Sequence, residues 1–244
     1  MIESLTSDTL RSEIEKIWAN VKKDSYLSWL LSTTGGWLVP GHPNLVALDF
    51  AIRYMPMVGA MIEIGTYLGQ STNVMTYLMW KYRRFLPLFC CDPWMFEKTG
   101  EPVGGFFDGG TNAYREYCMK VCRQTIAMFS AHHMPHVIEA FSHDFFADWS
   151  GEKEKVDMHG RSVKLGGPIS FAYIDGAHTY EGAREDFSGI HPFLVPGGFV
   201  FFDDSTPDWE GVHRVVNEVM QHPEYELLFT TPNYFFRKRP AIIA

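Results

Sequence analysis

Between Phe171 and Ser205 the sequence runs FAYIDGAHTYEGAREDFSGIHPFLVPGGFVFFDDS, and three acids there have the type and spacing to bind a metal ion. Asp175 stops the apolar run Phe171–Ile174, the pair Asp203 and Asp204 stops the run Phe199–Phe202, and His178 stands close behind Asp175. Carboxylates brought together repel one another unless a cation, a basic ligand or proton uptake offsets the charge. A hard divalent ion is the simplest answer, and all-oxygen ligation suits magnesium, calcium or manganese better than zinc. The plainer alternative makes Asp175 and Asp203 caps of the following helices and leaves Asp204 solvated. The third acid and His178 weigh against it.

What must bring these acids together is a strand, a helix and a strand. Ala183, Phe187, Ile190 and Leu194 recur at helical spacing between the two apolar runs, and Pro196-Gly197-Gly198 punctuates before the second. A crossover of this length joins parallel neighbours, so both strands end at one edge of the sheet, where open α/β sheets bind ligands.

A second such element lies upstream. Met61 to Gly65 reads as a strand, and GTYLGQSTNVMTYLMW places Gly65 and Gly69 in the turn before a helix that carries Val74, Met75, Leu78 and Met79 on one face. Glycine turns of this kind let a ligand approach backbone N–H groups at a helix N-terminus. The spacing departs from the dinucleotide pattern, and Glu63 would oppose a pyrophosphate but attract an ammonium group. Phe85 to Cys91 is a further strand, ending in Asp92-Pro93-Trp94 where a nucleoside-binding fold places an acid against ribose hydroxyls.

The rest of the chain supports one α/β domain. Leu10, Ile14, Ile17, Trp18 and Val21 predict an amphipathic helix packing on the main domain or on a second copy of the chain, within a helical extension over residues 1–55. Residues 33–42 break the pattern, with Trp37 expected as a packed loop aromatic or a cover for a ligand mouth, and Leu45 to Tyr54 resumes as helix. The main domain spans 56–240. Within it, residues 98–111, rich in glycine and bearing Phe106 and Phe107, suit a lid or a surface insertion. A helix over 114–129, a strand over 136–140 ending at Phe141 and Ser142, and a short helix over 144–149 precede a polar run, 151–164, expected to be solvated. Val212, Val215, Val216 and Val219 then stripe a helix opened by Pro207 and capped by Ser205 or Thr206, and residues 225–230 and 233–237 form an antiparallel pair.

Composition excludes several classes. A net charge of -8 over 244 residues argues against a nucleic-acid backbone as partner. The apolar runs are too short to span a bilayer, and MIESLTSDTL carries no secretion signal, so a cytoplasmic setting is expected. Cys90, Cys91, Cys118 and Cys122 lack zinc-finger spacing and read as buried thiols.

With EIGTYLGQST, CCDPW, AYIDGAHTYEGAREDF, LVPGGFVFFDDS and EGVHRVV in this order, the chain resembles the class I S-adenosylmethionine-dependent methyltransferases over about residues 35–238. More narrowly it is similar to the metal-dependent branch that methylates hydroxyls of macrolide and aminocoumarin sugars. The resemblance implies a Rossmann-like, doubly wound, mostly parallel sheet with a terminal antiparallel pair, and S-adenosylmethionine and magnesium as cofactors. It places the methionine part of the cofactor at Glu63, Gly65 and Gly69 with Ser71 and Thr72 at the helix start, the ribose at Asp92, adenine at Phe141 and Ser142, and the metal on Asp175, Asp203 and Asp204, with Asp175 also bordering the cofactor. His178 matches the general base of one subgroup, while Ala177 stands where another subgroup has an Asp. An imidazole can take the acceptor's proton near neutral pH; His213 is the reserve candidate. A small-molecule hydroxyl acceptor in a partly aromatic pocket of Trp37, Trp94, Phe106, Phe107 and Tyr180 is then expected. The competing readings are a metal-dependent nucleotide-sugar transferase and a non-catalytic S-adenosylmethionine-binding protein.

Overall fold

A computed structural model describes residues 7–95 and 112–240. The segment 98–111, expected as a lid, lies outside the described residues. Three helices, α1 (Ser7–Lys23), α2 (Ser25–Thr33) and α3 (Asn44–Tyr54), lead into β1 (Ala60–Ile64), α4 (Gln70–Tyr82), β2 (Leu88–Cys91), α5 (Asn112–Phe129), β3 (His136–Ile138) and α6 (Ser142–Ser150). A small hairpin, β4 (Glu154–Val156) and β5 (Ser162–Lys164), precedes β6 (Ile169–Ile174), α7 (Tyr180–Ile190), β7 (Leu194–Phe202), α8 (Glu210–Gln221), β8 (Tyr225–Thr230) and β9 (Tyr234–Lys238).

The main sheet has seven strands in the order β3-β2-β1-β6-β7-β9-β8. The first five are parallel and β9 is antiparallel to both its neighbours, the expected doubly wound sheet with a terminal antiparallel pair. Strand order reverses beside β1, between β2 and β6, the crevice such sheets use for ligands. Central strands buried on both faces read as continuous apolar runs because alternate residues serve opposite cores. Phe199 and Phe201 of β7 join one core, while Val200 and Phe202 join the other. The first core also takes Ile17 and Val21 of α1, Leu27 of α2 and Phe50 of α3, so the N-terminal helices are continuous with the domain's interior.

Several local expectations change. α2 was not legible; Asp24 caps it, accepting from Leu27 N at 2.9 Å. The Pro-Gly-Gly expected as punctuation lies inside β7, whose pairing with β6 jumps from Ile169↔Leu194 to Phe171↔Phe199 and so accommodates the extra residues as a bulge. The polar run 151–164 contains the β4–β5 hairpin. α8 begins at Glu210 without a side-chain cap, because Ser205 is buried and its hydroxyl binds Phe202 O and Tyr234 N. Trp37 is 71% exposed rather than packed. All four cysteines are buried and free, as expected.

Candidate active site

The strand registers put the key residues in one row. Ile64 pairs with Cys91 and Ile174, and Ile174 with Phe202. One residue beyond these pairs, the ladder continues through Gly65 N to Cys91 O, Asp175 N to Ile64 O and Asp203 N to Ile174 O, at 3.0, 2.8 and 2.9 Å. The ends of β1, β2, β6 and β7 thus carry Gly65, Asp92, Asp175 and Asp203 along one edge.

The glycine turn is braced from within. Gly65 has φ +84°, and a Cβ there would lie 1.8 Å from Asp175 O, so only glycine lets β1 and β6 end side by side. Gly69 is the N-cap residue of α4. Asp92, expected to face a ribose, uses Oδ2 to accept from Thr66 N and Tyr67 N, both at 2.8 Å, and Oδ1 to accept from Trp94 N at 2.6 Å. Burial pushes its carboxyl up in pKa, and those three N–H groups pull the other way. Glu63 is fully buried and accepts from Ser71 Oγ at 2.5 Å and from Thr72 Oγ1. Burial raises its pKa to about 7. Gln70 fastens the preceding loop over the start of α4, accepting from Leu38 N at 2.8 Å and donating to Leu31 O at 3.1 Å. Buried Thr66 Oγ1 has no hydrogen-bond partner among the described residues.

At the other end of the row, Asp175, His178 and Asp204 bring one ligand atom each within 4.8 Å of one another. Asp204 has φ +42°, a conformation an aspartate tolerates, and its Oδ2 lies 3.2 Å from His178 Nε2. The His178 ring tilts against Trp209, centroids 4.4 Å apart. Its backbone is clamped by α8, because a Cβ at Gly211 would stand 2.5 Å from His178 O. Asp175 is held well above the ordinary carboxylate range by burial and then by the charges of Asp203 and Asp204.

Asp203 lies outside that trio. Its Oδ1 accepts from Asn44 Nδ2 at 2.6 Å, Asn233 Nδ2 at 2.5 Å and Asp204 N at 2.9 Å. Tyr173 donates its hydroxyl to Asp203 Oδ2 and reaches Asp175 Oδ2 at 3.2 Å. Asn44, Asn233, Tyr173 and Trp209 are site residues that sequence reasoning missed, and the signal of a buried asparagine shows only once α3 and the β8–β9 turn meet β7. Asn233→Ala is expected to lower unfolding free energy by roughly 1.5–3 kcal/mol, the worth of a hydrogen bond to a charged group. Urea denaturation reads this directly, and a loss under about 0.5 kcal/mol, the scatter of ordinary surface changes, would mean that Asp203 does not need the contact.

The remaining expected residues divide. Phe141 precedes α6 and its ring stacks on His143 at 5.5 Å. Ser142 hydrogen-bonds Asp186, a buried acid on α7 that burial pushes up to about 7. His213 is not at the trio; its Nδ1 sits 2.9 Å from Ser205 O. Two described members of the expected aromatic pocket, Trp94 and Tyr180, are engaged elsewhere. Trp94 is 1% exposed and donates Nε1 to Tyr67 O at 2.8 Å, Tyr180 binds Glu218 Oε1 at 2.8 Å, and Phe106 and Phe107 lie outside the described residues.

A doubly wound parallel sheet with a glycine turn after its first strand and acids along its carboxyl edge defines a Rossmann-like α/β fold of the nucleoside-binding kind. Residues 62–205, from within β1 to just past the Asp203-Asp204 pair, match Methyltransf_24, a methyltransferase domain, and the chain belongs to that family. Among solved structures it is similar to the calicheamicin methyltransferase CalS11, at 16% identity over 96% of this chain and 93% of that one, TM-score 0.58. It is also similar to the O-methyltransferase from Bacillus cereus in complex with SAH, at 14% identity over 91% and 97%, TM-score 0.53. The O-methyltransferase TomG from Streptomyces achromogenes, in complex with SAM, matches at 16% identity over 90% and 92%, TM-score 0.51. At such identities the likeness is one of fold. No curated protein matches the sequence.

The chain's residues fit both S-adenosylmethionine and the divalent ion that the sequence resemblance implies. For the cofactor, the glycine turn offers backbone at the start of α4 and the unpartnered Thr66 hydroxyl. For a divalent ion, two carboxylates and an imidazole converge, with Asp175 buried and beside the charges of Asp203 and Asp204, a donor set whose charge a cation would offset.

Proposed function

We propose that the protein transfers a methyl group from S-adenosylmethionine to a hydroxyl of a small sugar or natural-product acceptor, with a hard divalent ion at the site. The observation that carries this reading is the placing of Asp175, His178 and Asp204 at one point on the edge where the glycine turn also ends. The family match supports methyl transfer. The structural relatives point to oxygen as the acceptor atom: CalS11 is described as a TDP-rhamnose 3'-O-methyltransferase, and NovP and TomG as O-methyltransferases. Nothing comparable supports a nucleotide-sugar transferase.

Bound S-adenosylmethionine supplies an activated methyl group, and a bound divalent ion lowers the pKa of a hydroxyl beside it. The chain's own residues do the rest. Asp175 and Asp204 would hold the ion, with Asp203 beside them fixed by Asn44, Asn233 and Tyr173. The His178 imidazole takes the acceptor's proton, and Asp204 and Trp209 hold its ring in place. Glu63, Ser71 and Thr72 shape the floor of the glycine turn, and Asp92 keeps its backbone in place.

Transfer of label from methyl-labelled S-adenosylmethionine to a panel of hydroxylated sugars and glycosides tests the reaction. Asp92→Ala frees two N–H groups of the turn, and cofactor affinity by calorimetry is expected to fall by about 10- to 100-fold, equivalent to the roughly 1.5–3 kcal/mol of hydrogen bonds to a charged group. Failure of the wild-type protein to bind S-adenosylmethionine would overturn the proposal. Among the described residues no helix is long and apolar enough to cross a membrane.

A further inference from the structure

The edge of the sheet opposite the acids holds a second cluster of ligating side chains. His191 ends α7, His222 ends α8, and Glu224 precedes β8. Because β8 runs antiparallel to β9, and β9 antiparallel to β7, the starts of β7 and β8 lie on the same side. The three residues meet there, with one ligand atom from each within 4.8 Å of the others.

We propose that His191, His222 and Glu224 form a second metal site, for a nitrogen-preferring divalent transition ion of the zinc type. The donor set decides the class of ion. Two imidazoles and one carboxylate suit zinc, nickel or copper, whereas the carboxylate-rich point at the other edge suits a hard ion. Donors around a tetrahedral ion with bonds of about 2.1 Å stand roughly 3.4 Å apart, so side-chain shifts on the order of an ångström close this cluster around zinc, with solvent in the fourth position.

The surroundings preset the ligands. His191 Nδ1 lies 3.0 Å from the hydroxyl of Tyr225, which is 1% exposed and rigidly packed. If that nitrogen donates to the hydroxyl, Nε2 is left for the ion, the outer-shell arrangement that orients metal-binding histidines. The His191 and His222 rings meet at 67° with centroids 5.0 Å apart. His222 is half-buried, and its Nδ1 makes only a 3.3 Å contact with Glu224 N, which a small ring rotation exchanges for the ion. Two cations stand beside the cluster: Arg239 donates Nε to Tyr225 O at 3.1 Å, and the nearer to Glu224, Lys238, has its Nζ 3.4 Å from Glu224 Oε2 and 3.0 Å from His191 O. Lys238 balances Glu224 in the absence of an ion and would be a divalent ion's rival. An ion here would tie the ends of α7 and α8 to the terminal strand pair.

Zinc titration by calorimetry, with metal counting by mass spectrometry, tests this on the full chain carrying Asp175→Asn and Asp204→Asn, so that the acid edge takes no ion. One zinc per chain is expected, with a rise in melting temperature. His222→Ala in that background is expected to weaken zinc binding at least 10-fold and to cancel the rise. Glu224→Gln, at an exposed position, serves the same purpose should His222→Ala fail to fold. Lys238→Met is expected to tighten binding several-fold. No zinc uptake, or uptake that His222→Ala and Glu224→Gln leave unchanged, would overturn the site. Either result is independent of methyl transfer.

Discussion

Chelation of divalent ions is expected to abolish methyl transfer, and magnesium alone is expected to restore it. The largest effect should come from this edge because Asp175 and Asp204 converge there with His178 while Asp203 stands beside them, and a divalent ion offsets the charge that these carboxylates bring together. Asp175→Asn should reproduce the loss and should weaken magnesium binding in calorimetry. Its effect on stability should have the opposite sign. Asp175 has a folded-state pKa raised above its unfolded value, so any stability it contributes is present at low pH and lost as pH rises through the folded value. In its ionised form the group is a burden on the fold. Asp175→Asn removes that burden, and its midpoint in urea should stay level or rise at neutral pH while turnover disappears. Full activity after chelation would remove the ion from the proposed function. Methyl transfer that zinc restores but magnesium does not would assign the required ion to another donor class, and His222→Ala then shows whether the second cluster holds it.

His178→Ala is expected to reduce turnover by about 10²–10⁴-fold, the usual contribution of a positioned acid–base group. His178 Nε2 is held by Asp204 Oδ2, the ring rests against Trp209, and α8 packs on its carbonyl through Gly211. Cofactor affinity should be close to wild type, because His178 makes no described contact with the glycine turn. The residual rate should climb with pH as hydroxide replaces the base. Trp209→Ala leaves the imidazole but removes its support, so a smaller loss is expected, rescued in part by Trp209→Phe. A His178→Ala enzyme that turns over like wild type at neutral pH would show that another group takes the proton. One that loses magnesium affinity instead would make His178 a ligand of the ion.

Much of the site was legible because it is built from local patterns. Apolar runs stopped by Asp92, Asp175 and Asp203 mark strand ends, a glycine turn follows a strand at Gly65, and the helical stripe between Ala183 and Ile190 makes the crossover; each reports burial a few residues at a time. From these follow a parallel sheet and a shared edge, and β1, β2, β6 and β7 do end in one row. What the periodicities cannot carry is which distant groups meet. Asn44 and Asn233, far apart in the chain, bind one another and Asp203, and so turn an expected ligand into an anchored neighbour of the trio. Asp92 satisfies backbone N–H groups of another strand's turn, and Trp94 is drawn into the core. The Pro-Gly-Gly that reads locally as a break is absorbed as a bulge by pairing with β6, and Trp37 is left exposed while its neighbour Leu38 is buried through Gln70. The amino-acid sequence by itself determined which side chains would be offered at the edge. Sheet order and the packing of α3, α8 and the terminal strands decided which of them face one another, because hydrogen-bond partners separated by most of the chain are chosen by topology and not by spacing.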